Sequence, residues 1–328
     1  MKLRRVMREG LVSTIIPVFN RPALMREAVA SVLAQTYRPI EIIIVDDGST
    51  DETGRVAEAL AMENPDVIRV LHIANGGPGV AREAGRQLVR GEFVQYLDSD
   101  DLLLPCKFVL QVQGLRANPA CGVAYGKTRC YQLGNKPMDV SLKRTGEKIE
   151  TMFPSFLKSR WWSTNTPLFK RELLDRAGPW KSLFNEEDWE YDCRVAALGI
   201  HLCFCDEYVA DTRFHKEGHL SSDGSSDPRK LKSRAKAHEL ILSHARRAGI
   251  GPEIPEMQHF ARELFLLARQ CGAAGLAAEA RELFRLARAA SGSERSSGLD
   301  FRLYRLLARM IGWARAGRLT CAMDRWRG

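Results

Sequence analysis

Residues 40–45 read IEIIIV, an almost wholly apolar run that stops abruptly at Asp46-Asp47-Gly48-Ser49-Thr50-Asp51. A strand with one face in water alternates apolar and polar side chains; one covered on both faces has no need to. The run therefore predicts a parallel sheet with helices over both faces, which requires further strands of the same kind. Residues 12–18 (VSTIIPV) supply one, broken by Phe19-Asn20-Arg21-Pro22. Residues 23–35 follow with helical periodicity, placing Leu24, Ala28, Val32 and Leu33 on one face. A helix over 53–62 starts behind a Thr50 or Asp51 cap. Residues 67–73 form a third strand, Gly76-Gly77-Pro78-Gly79 turns into a helix over 80–89, and 93–97 form a fourth strand. Strand, loop and helix repeat three times, the pattern of an α/β fold.

In such sheets a ligand lies beyond the carboxyl ends of the strands. Three polar loops leave those ends: FNRP, DDGSTD and DSDD. The last places Asp98, Asp100 and Asp101 within four positions, where like charges repel. A helix cap or a solvated turn would account for such a cluster by itself. Convergence of three loops on one crevice favours a site, and carboxylates there suit Mg²⁺ or Mn²⁺, with phosphate oxygens completing the coordination. Dinucleotide binding fits poorly. The first strand–helix turn is PVFNRPA, without GxGxxG, and the glycines at 76, 77 and 79 follow the third strand with Arg82 where another glycine is needed.

The segments IIPVFNRPALMREAVASVLAQTYRPIEIIIVDDGSTDET and NGGPGVAREAGRQLVRGEFVQYLDSDD resemble the nucleotide-sugar-binding half of family 2 glycosyltransferases. The match is dense over about the first 110 residues, and four segments agree in order and spacing. The resemblance implies a GT-A fold: a Rossmann-like, mostly parallel sheet flanked by helices. It implies that Pro17, Val18 and Asn20 line a nucleoside pocket and that Asp46 or Asp47 bonds the base, a carboxylate suiting the imide N–H of uracil or thymine. Arg82 would reach the base or the phosphates. Asp98 and Asp100, with Ser99 between them, would form the DxD motif. Asp100 is the direct metal ligand in this reading, and Asp98 lies towards the ribose or a metal-bound water. Glu187-Asp188 resembles the acceptor-side ED motif, with Asp188 as general base and Glu187 orienting it or touching the acceptor; acidic residues opening a helix have a plainer explanation in the helix dipole. Arg213 would pair with phosphate, and His215 would bind phosphate or the metal. The implied activity is metal-dependent, inverting transfer from a UDP- or dTDP-sugar to a hydroxyl of a glycan or lipid-linked saccharide. Trp161 and Trp162 are open between a sugar platform and core support.

Across 328 residues the net charge is +9, distributed unevenly. From Arg229 onward there are 20 Lys+Arg against 9 Asp+Glu; the first 228 residues hold 29 against 31. A GT-A domain over 1–225 and a basic helical extension over 229–328 follow from that shift and from the polar break SSDGSSDP. Helices are expected over 230–248, 256–271 and 276–290, the last two resembling one tetratricopeptide-like pair, with a linker over 291–298. Residues 301–319 interleave apolar side chains with five arginines, so peripheral contact with an anionic membrane stands beside packing on the body. No nucleic-acid fold accompanies the basic residues. Scattered cysteines and the lack of a cleavable leader or an apolar span of about 18 residues point to the cytoplasm, with peripheral contact on the inner face of the membrane. A catalytically degenerate module acting through its basic tail is the alternative to the enzyme.

Overall fold

The computed structural model describes residues 7–214, 227–296 and 298–327. The chain divides into two compact units, each drawing on several segments. The first comprises Met1–Met152, Trp161–Ser182 and Ile200–Gly218; the second comprises Phe153–Arg160, Leu183–Gly199 and His219–Gly328. The second thus includes two segments from inside the 1–225 range.

The first unit is built on an eight-stranded sheet. Its strands are β1 (Arg8–Val18), β2 (Ile40–Asp46), β3 (Ile68–His72), β4 (Gly91–Tyr96), β5 (Leu102–Leu103), β6 (Cys121–Gln132), β7 (Leu168–Lys170) and β8 (His201–Phe214). Their spatial order is β3-β2-β1-β4-β7-β6-β8-β5. β1 to β4 are mutually parallel, β7 runs antiparallel to β4 and β6, and β8 is parallel to β6. This mixed sheet bears out the GT-A expectation. Helices α1 (Pro22–Leu33), α2 (Thr53–Glu63), α3 (Pro78–Arg86), α4 (Lys107–Ala117) and α5 (Arg171–Ala177) flank it.

β2 is buried along its whole length, as its apolar run predicts. Ile42 and Ile44 share a core with Val12 and Ile16 of β1, Met25, Ala28, Val29 and Val32 of α1, and Ala57 and Leu60 of α2. On the opposite face α3 approaches so closely that a Cβ on Gly85 would lie 2.5 Å from Ile15 Cγ2 and 3.1 Å from Val45 Cγ2. Glu41, the one charge in the run, is buried. It accepts hydrogen bonds from Ser13 Oγ (2.5 Å), Arg90 N (2.8 Å), Arg90 Nε (2.7 Å) and Arg69 Nη2 (2.9 Å). Burial raises its pKa, but these bonds outweigh it and hold the carboxyl below its ordinary value.

Past β4 the pairing becomes less regular. Of residues 161–170 only Leu168–Lys170 pairs as a strand. Trp161 and Trp162 are both buried, which alternation along a strand does not provide. Trp161 lies under Arg144 at 3.9 Å and Trp162 meets the Tyr125 ring at 5.3 Å, so both are core support. Residues 201–214 form one strand, β8, with irregular register opposite Gly126 and Lys127.

The second unit is helical: α6 (Glu187–Ala196), α7 (Pro228–Arg247), α8 (Pro255–Ala273), α9 (Ala277–Arg295, broken at Gly292) and α10 (Leu299–Arg327, broken at Gly312). Phe265, Phe284, Phe301, Tyr304 and Trp313 form an aromatic core joining α8, α9 and α10. α8 and α10 cross where Gly317 meets Gly272; a Cβ on Gly317 would fall 2.4 Å from Ala273 N. Among the described residues no helix is long and apolar enough to cross a membrane.

Candidate functional site

Parallel pairing of β1, β2, β3 and β4 brings their carboxyl ends to one edge of the sheet. The loops leaving that edge are stitched together by side chains the sequence singles out. Asn20, at φ 51°, receives a bond at Oδ1 from Thr50 N (2.8 Å) and donates from its backbone N to Ser49 Oγ (3.0 Å). Asn tolerates this left-handed conformation better than most residues. The first loop is thereby tied to the second.

Asp46 and Asp47 are both buried and differ in environment. Asp46 Oδ1 accepts from Ser49 N at 3.0 Å, and Oδ2 pairs with His72 Nδ1 at 2.9 Å. Burial would raise its pKa, yet the Ser49 and His72 bonds bring it below the ordinary value. Asp47 accepts from Gly76 N and Gly77 N, each at 2.8 Å, which fixes the glycine turn before α3. Its pKa is raised, because burial outweighs those two bonds and Asp46 adds repulsion. Pro17 and Val18 are buried at the end of β1.

The DSDD loop follows β4. Asp98 Oδ1 accepts from Arg82 Nη2 at 2.6 Å, with Arg82 buried over the Trp180 ring at 5.0 Å. Asp100 Oδ2 accepts from Arg21 Nη1 at 2.6 Å. Ser99 is buried. Asp101 is the anchor beneath them. It accepts from Arg213 N (3.0 Å) and Asn165 Nδ2 (2.9 Å), tying the loop to β8. Arg213 is buried; its Nε donates to the Asp100 carbonyl at 2.6 Å, and its Nη1 pairs with Glu27. In this structure Arg213 braces the backbone of the acidic loop.

The structure thus gathers Asn20, Asp46, Asp47, Arg82, Asp98, Ser99, Asp100 and Arg213 around one sheet edge. His215, together with His219 and the loop beyond, lies outside the described residues. Among the described residues no three His, Cys, Asp or Glu side chains converge as a metal cage. Mg²⁺ and Mn²⁺ do not require one: they take one or two carboxylates and fill the remainder with phosphate and water oxygens. Asp98 and Asp100 fit that donor set. Arg21 is the residue the sequence reading left without a role. Its position in FNRP was visible; its pairing across 79 residues to Asp100 was not.

Glu187 and Asp188 open α6 in the second unit. Glu187 is buried, while the Asp188 side chain is 30% exposed. Arg160 forks between two carboxylates of that helix, with Nη1 to Asp188 Oδ2 at 2.5 Å and Nε to Asp192 Oδ2 at 2.6 Å. α6 is held to α7 by two clusters, one around the half-buried Glu186 and one around the buried Glu190. Glu186 meets Arg234 Nε (2.9 Å) and His238 Nδ1 (3.1 Å); Glu190 meets His244 Nε2 (2.7 Å) and its own helix's Arg194 Nη2 (2.6 Å).

The sheet order and the loops at its carboxyl edge are those of a GT-A fold, and comparison with known proteins agrees. The profile for glycosyl transferase family 2 matches residues 13–174. An uncharacterized glycosyltransferase of Nostoc sp. is 30% identical over 237 residues, covering 68% of this chain and 71% of the relative. The chain belongs to glycosyl transferase family 2. An uncharacterized glycosyltransferase of Rickettsia bellii is 44% identical over 127 residues, 38% of this chain but 18% of that protein. The chain covers at most 31% of the length of several such curated relatives. Among solved structures, S. aureus TarS 1-349 in complex with UDP aligns over 95% of this chain and 91% of its own, with TM-score 0.66 and 19% identity. The mannosyltransferase PcManGT from Pyrobaculum calidifontis, in complex with GDP-Man and Mn²⁺, gives TM-score 0.53 at 21% identity, covering 95% and 86%. At these identities the likeness speaks for the fold.

Proposed function

We propose that the protein transfers a sugar from a nucleoside-diphosphate sugar, UDP- or dTDP-linked, to a hydroxyl of a glycan or lipid-linked saccharide, with inversion at the anomeric carbon. The observation that carries the reading is the pairing of Asp98 with Arg82 and of Asp100 with Arg21 at the carboxyl edge of the sheet. Two carboxylates able to hold a divalent cation stand against two guanidinium groups able to hold phosphate. Solved relatives of the same fold bind UDP or GDP-Man with Mn²⁺, which supports the donor class. When bound, Mg²⁺ or Mn²⁺ would offset charge on the diphosphate, with Asp100 and Asp98 holding it.

Pro17, Val18 and Asn20 would line the nucleoside pocket, and Asp46 or Asp47 would address the base. Each carboxylate has both oxygens engaged, Asp47 by two glycine amides and Asp46 by Ser49 N and His72, so either would address the base through a remaining lone pair. Ser99 would approach the donor beside the carboxylates. Arg213 would act on phosphate through the loop it braces, and His215 would add a phosphate or metal contact.

Asp188 would take the acceptor proton as that oxygen forms its bond to the anomeric carbon and the bond to the diphosphate breaks. Arg160 would orient Asp188, with Glu187 touching the acceptor or steadying the turn. Replacing Asp188 with Asn should lower the turnover number by at least about a hundredfold and leave nucleotide binding by calorimetry close to wild type. Full turnover by this variant would sink the assignment. Polysaccharide synthesis at the cell envelope, on the cytoplasmic face, is the setting that fits a lipid-linked acceptor, with α10 supplying peripheral membrane contact.

A further inference from the structure

The strongest unexplained surface is in the second unit, where α9 and α10 lie side by side. Leu299, Leu303, Leu306 and Met310 are 74%, 62%, 55% and 73% exposed. Their spacing of four, three and four places them on one stripe of α10. The opposite face, carrying Phe301, Tyr304 and Ala308, is buried in the aromatic core. Four large apolar side chains in a row on the solvent side serve no core. They mark a surface that meets something.

What it meets is indicated by the charge alongside. Arg302, Arg305 and Arg309 flank the stripe and are exposed. Arg305 and Arg309 line a cavity of about 410 Å³ together with Arg281, Arg285 and Arg288 of α9, over Phe284 and Trp313. Arg285 pairs with Glu282, and Arg288 donates to the Ser296 carbonyl. Among the described residues Arg281, Arg302, Arg305 and Arg309 form no ion pair with a carboxylate. Five guanidinium groups around an open cavity, next to an exposed apolar stripe, combine the two features of an interfacial helix: apolar side chains for the acyl boundary and cations for the headgroups.

We infer that the α9–α10 face docks on anionic phospholipid, with a lipid phosphate seated in the arginine cavity and Leu299, Leu303, Leu306 and Met310 inserted beside it. This rests on the peripheral contact proposed above and narrows it to a site and a lipid class; it is independent of the transfer chemistry. A second copy of the chain fits the stripe less well, because a symmetric pairing would set arginines against arginines. Nucleic acid would satisfy the arginines and leave the apolar stripe in water.

The test is co-sedimentation of the full chain with vesicles of phosphatidylcholine alone and of phosphatidylcholine mixed with phosphatidylglycerol. The protein should pellet with the anionic vesicles and stay in solution with the neutral ones. The double variant R305Q/R309Q should lower anionic partitioning roughly 25-fold, at about fivefold per arginine. L303S/M310S should lower it roughly tenfold while keeping the salt dependence. All four side chains are exposed, so both variants should melt like wild type. Sedimentation with anionic vesicles that R305Q/R309Q leaves unchanged overturns the site, though membrane contact would stand. Absence of sedimentation overturns site and contact together. So does a salt-sensitive affinity for single-stranded RNA without vesicle binding, or a dimer that L303S/M310S dissolves. Donor binding measured on the same preparation reports separately on the transferase reading.

Discussion

Asp101 is buried, and burial, followed by the charges of Asp100 and Asp98, pushes its carboxyl pKa well up. Its oxygens are bound to Arg213 N, Asn165 and Thr212. Asp100 is two-sided: its backbone carbonyl is held by Arg213, and its side chain pairs with the partly exposed Arg21. Neighbouring carboxylates therefore divide into a structural anchor and, in the proposed role, a ligand-facing group. Removing each should give opposite results. Asp101→Ala takes the carboxylate acceptor from the buried Arg213 amide, while Asn165 keeps Asp211 O and Thr212 Oγ1, and should cost about 1–3 kcal/mol of stability, visible as a lower melting temperature. Asp100→Ala removes the ion pair with the partly exposed Arg21, worth about 1 kcal/mol. It should melt near wild type and lose the Mn²⁺ enhancement of UDP binding in calorimetry. UDP affinity that is the same with and without Mn²⁺ in the wild-type protein would refute the metal role of Asp98 and Asp100. The sequence shows three acids in four positions; it cannot show which one faces inward, because Arg213 and Asn165 arrive from 112 and 64 residues away.

At the scale of elements, α6 carries the proposed base and depends on its clasp to α7. Burial raises the pKa of Glu190, but bonds from His244 and Arg194 outweigh it and leave the carboxyl depressed; Glu186 behaves alike with His238 and Arg234. A depressed carboxylate contributes stability above its unfolded pKa, about 4.3 for Glu, and that contribution is lost as pH falls through the folded value. Glu190→Gln should therefore cost about 3 kcal/mol at neutral pH, and its deficit against wild type should shrink as the pH falls below about 4. A deficit constant with pH would mean that Glu190 acts through packing alone. The clasp was not legible in the sequence, where Glu186, Glu187 and Asp188 look like a single acidic helix start. The parallel strands were legible, because Ile40–Val45 and Val12–Val18 are buried on both faces and carry that in composition alone. β7 was not: three residues long, it is held by pairing with β4 and β6 rather than by any pattern of its own. The expected linker over 291–298 was legible only in part. α9 continues through Ser291 to Arg295 and bends at Gly292, where φ is 78°.

For the whole molecule, the charge asymmetry seen along the chain has a structural counterpart. The sheet unit holds its charges in specific pairs: Glu41 with Arg69 and Arg90, Asp98 with Arg82, Asp100 with Arg21. The helical unit leaves arginines around an open cavity. Linear composition located that basic excess after Arg229, but the compact unit also recruits Phe153–Arg160 and Leu183–Gly199. Those segments bring Arg160 and Asp188 together, a grouping that the charge profile cannot reveal. The central claim remains that the sheet edge binds a nucleoside-diphosphate sugar with a divalent cation. It is tested most directly by melting the protein in the presence of UDP-, dTDP- and GDP-sugars, each with and without Mn²⁺. A ligand present at about a hundred times its dissociation constant stabilises by about 2.7 kcal/mol. The account predicts an upward shift of several degrees with a uridine or thymidine donor, dependent on Mn²⁺ and lost in Asp100→Ala. A panel in which no nucleotide sugar moves the melting temperature, with Mn²⁺ present, would contradict it and leave the chain as a binding module built on a transferase fold.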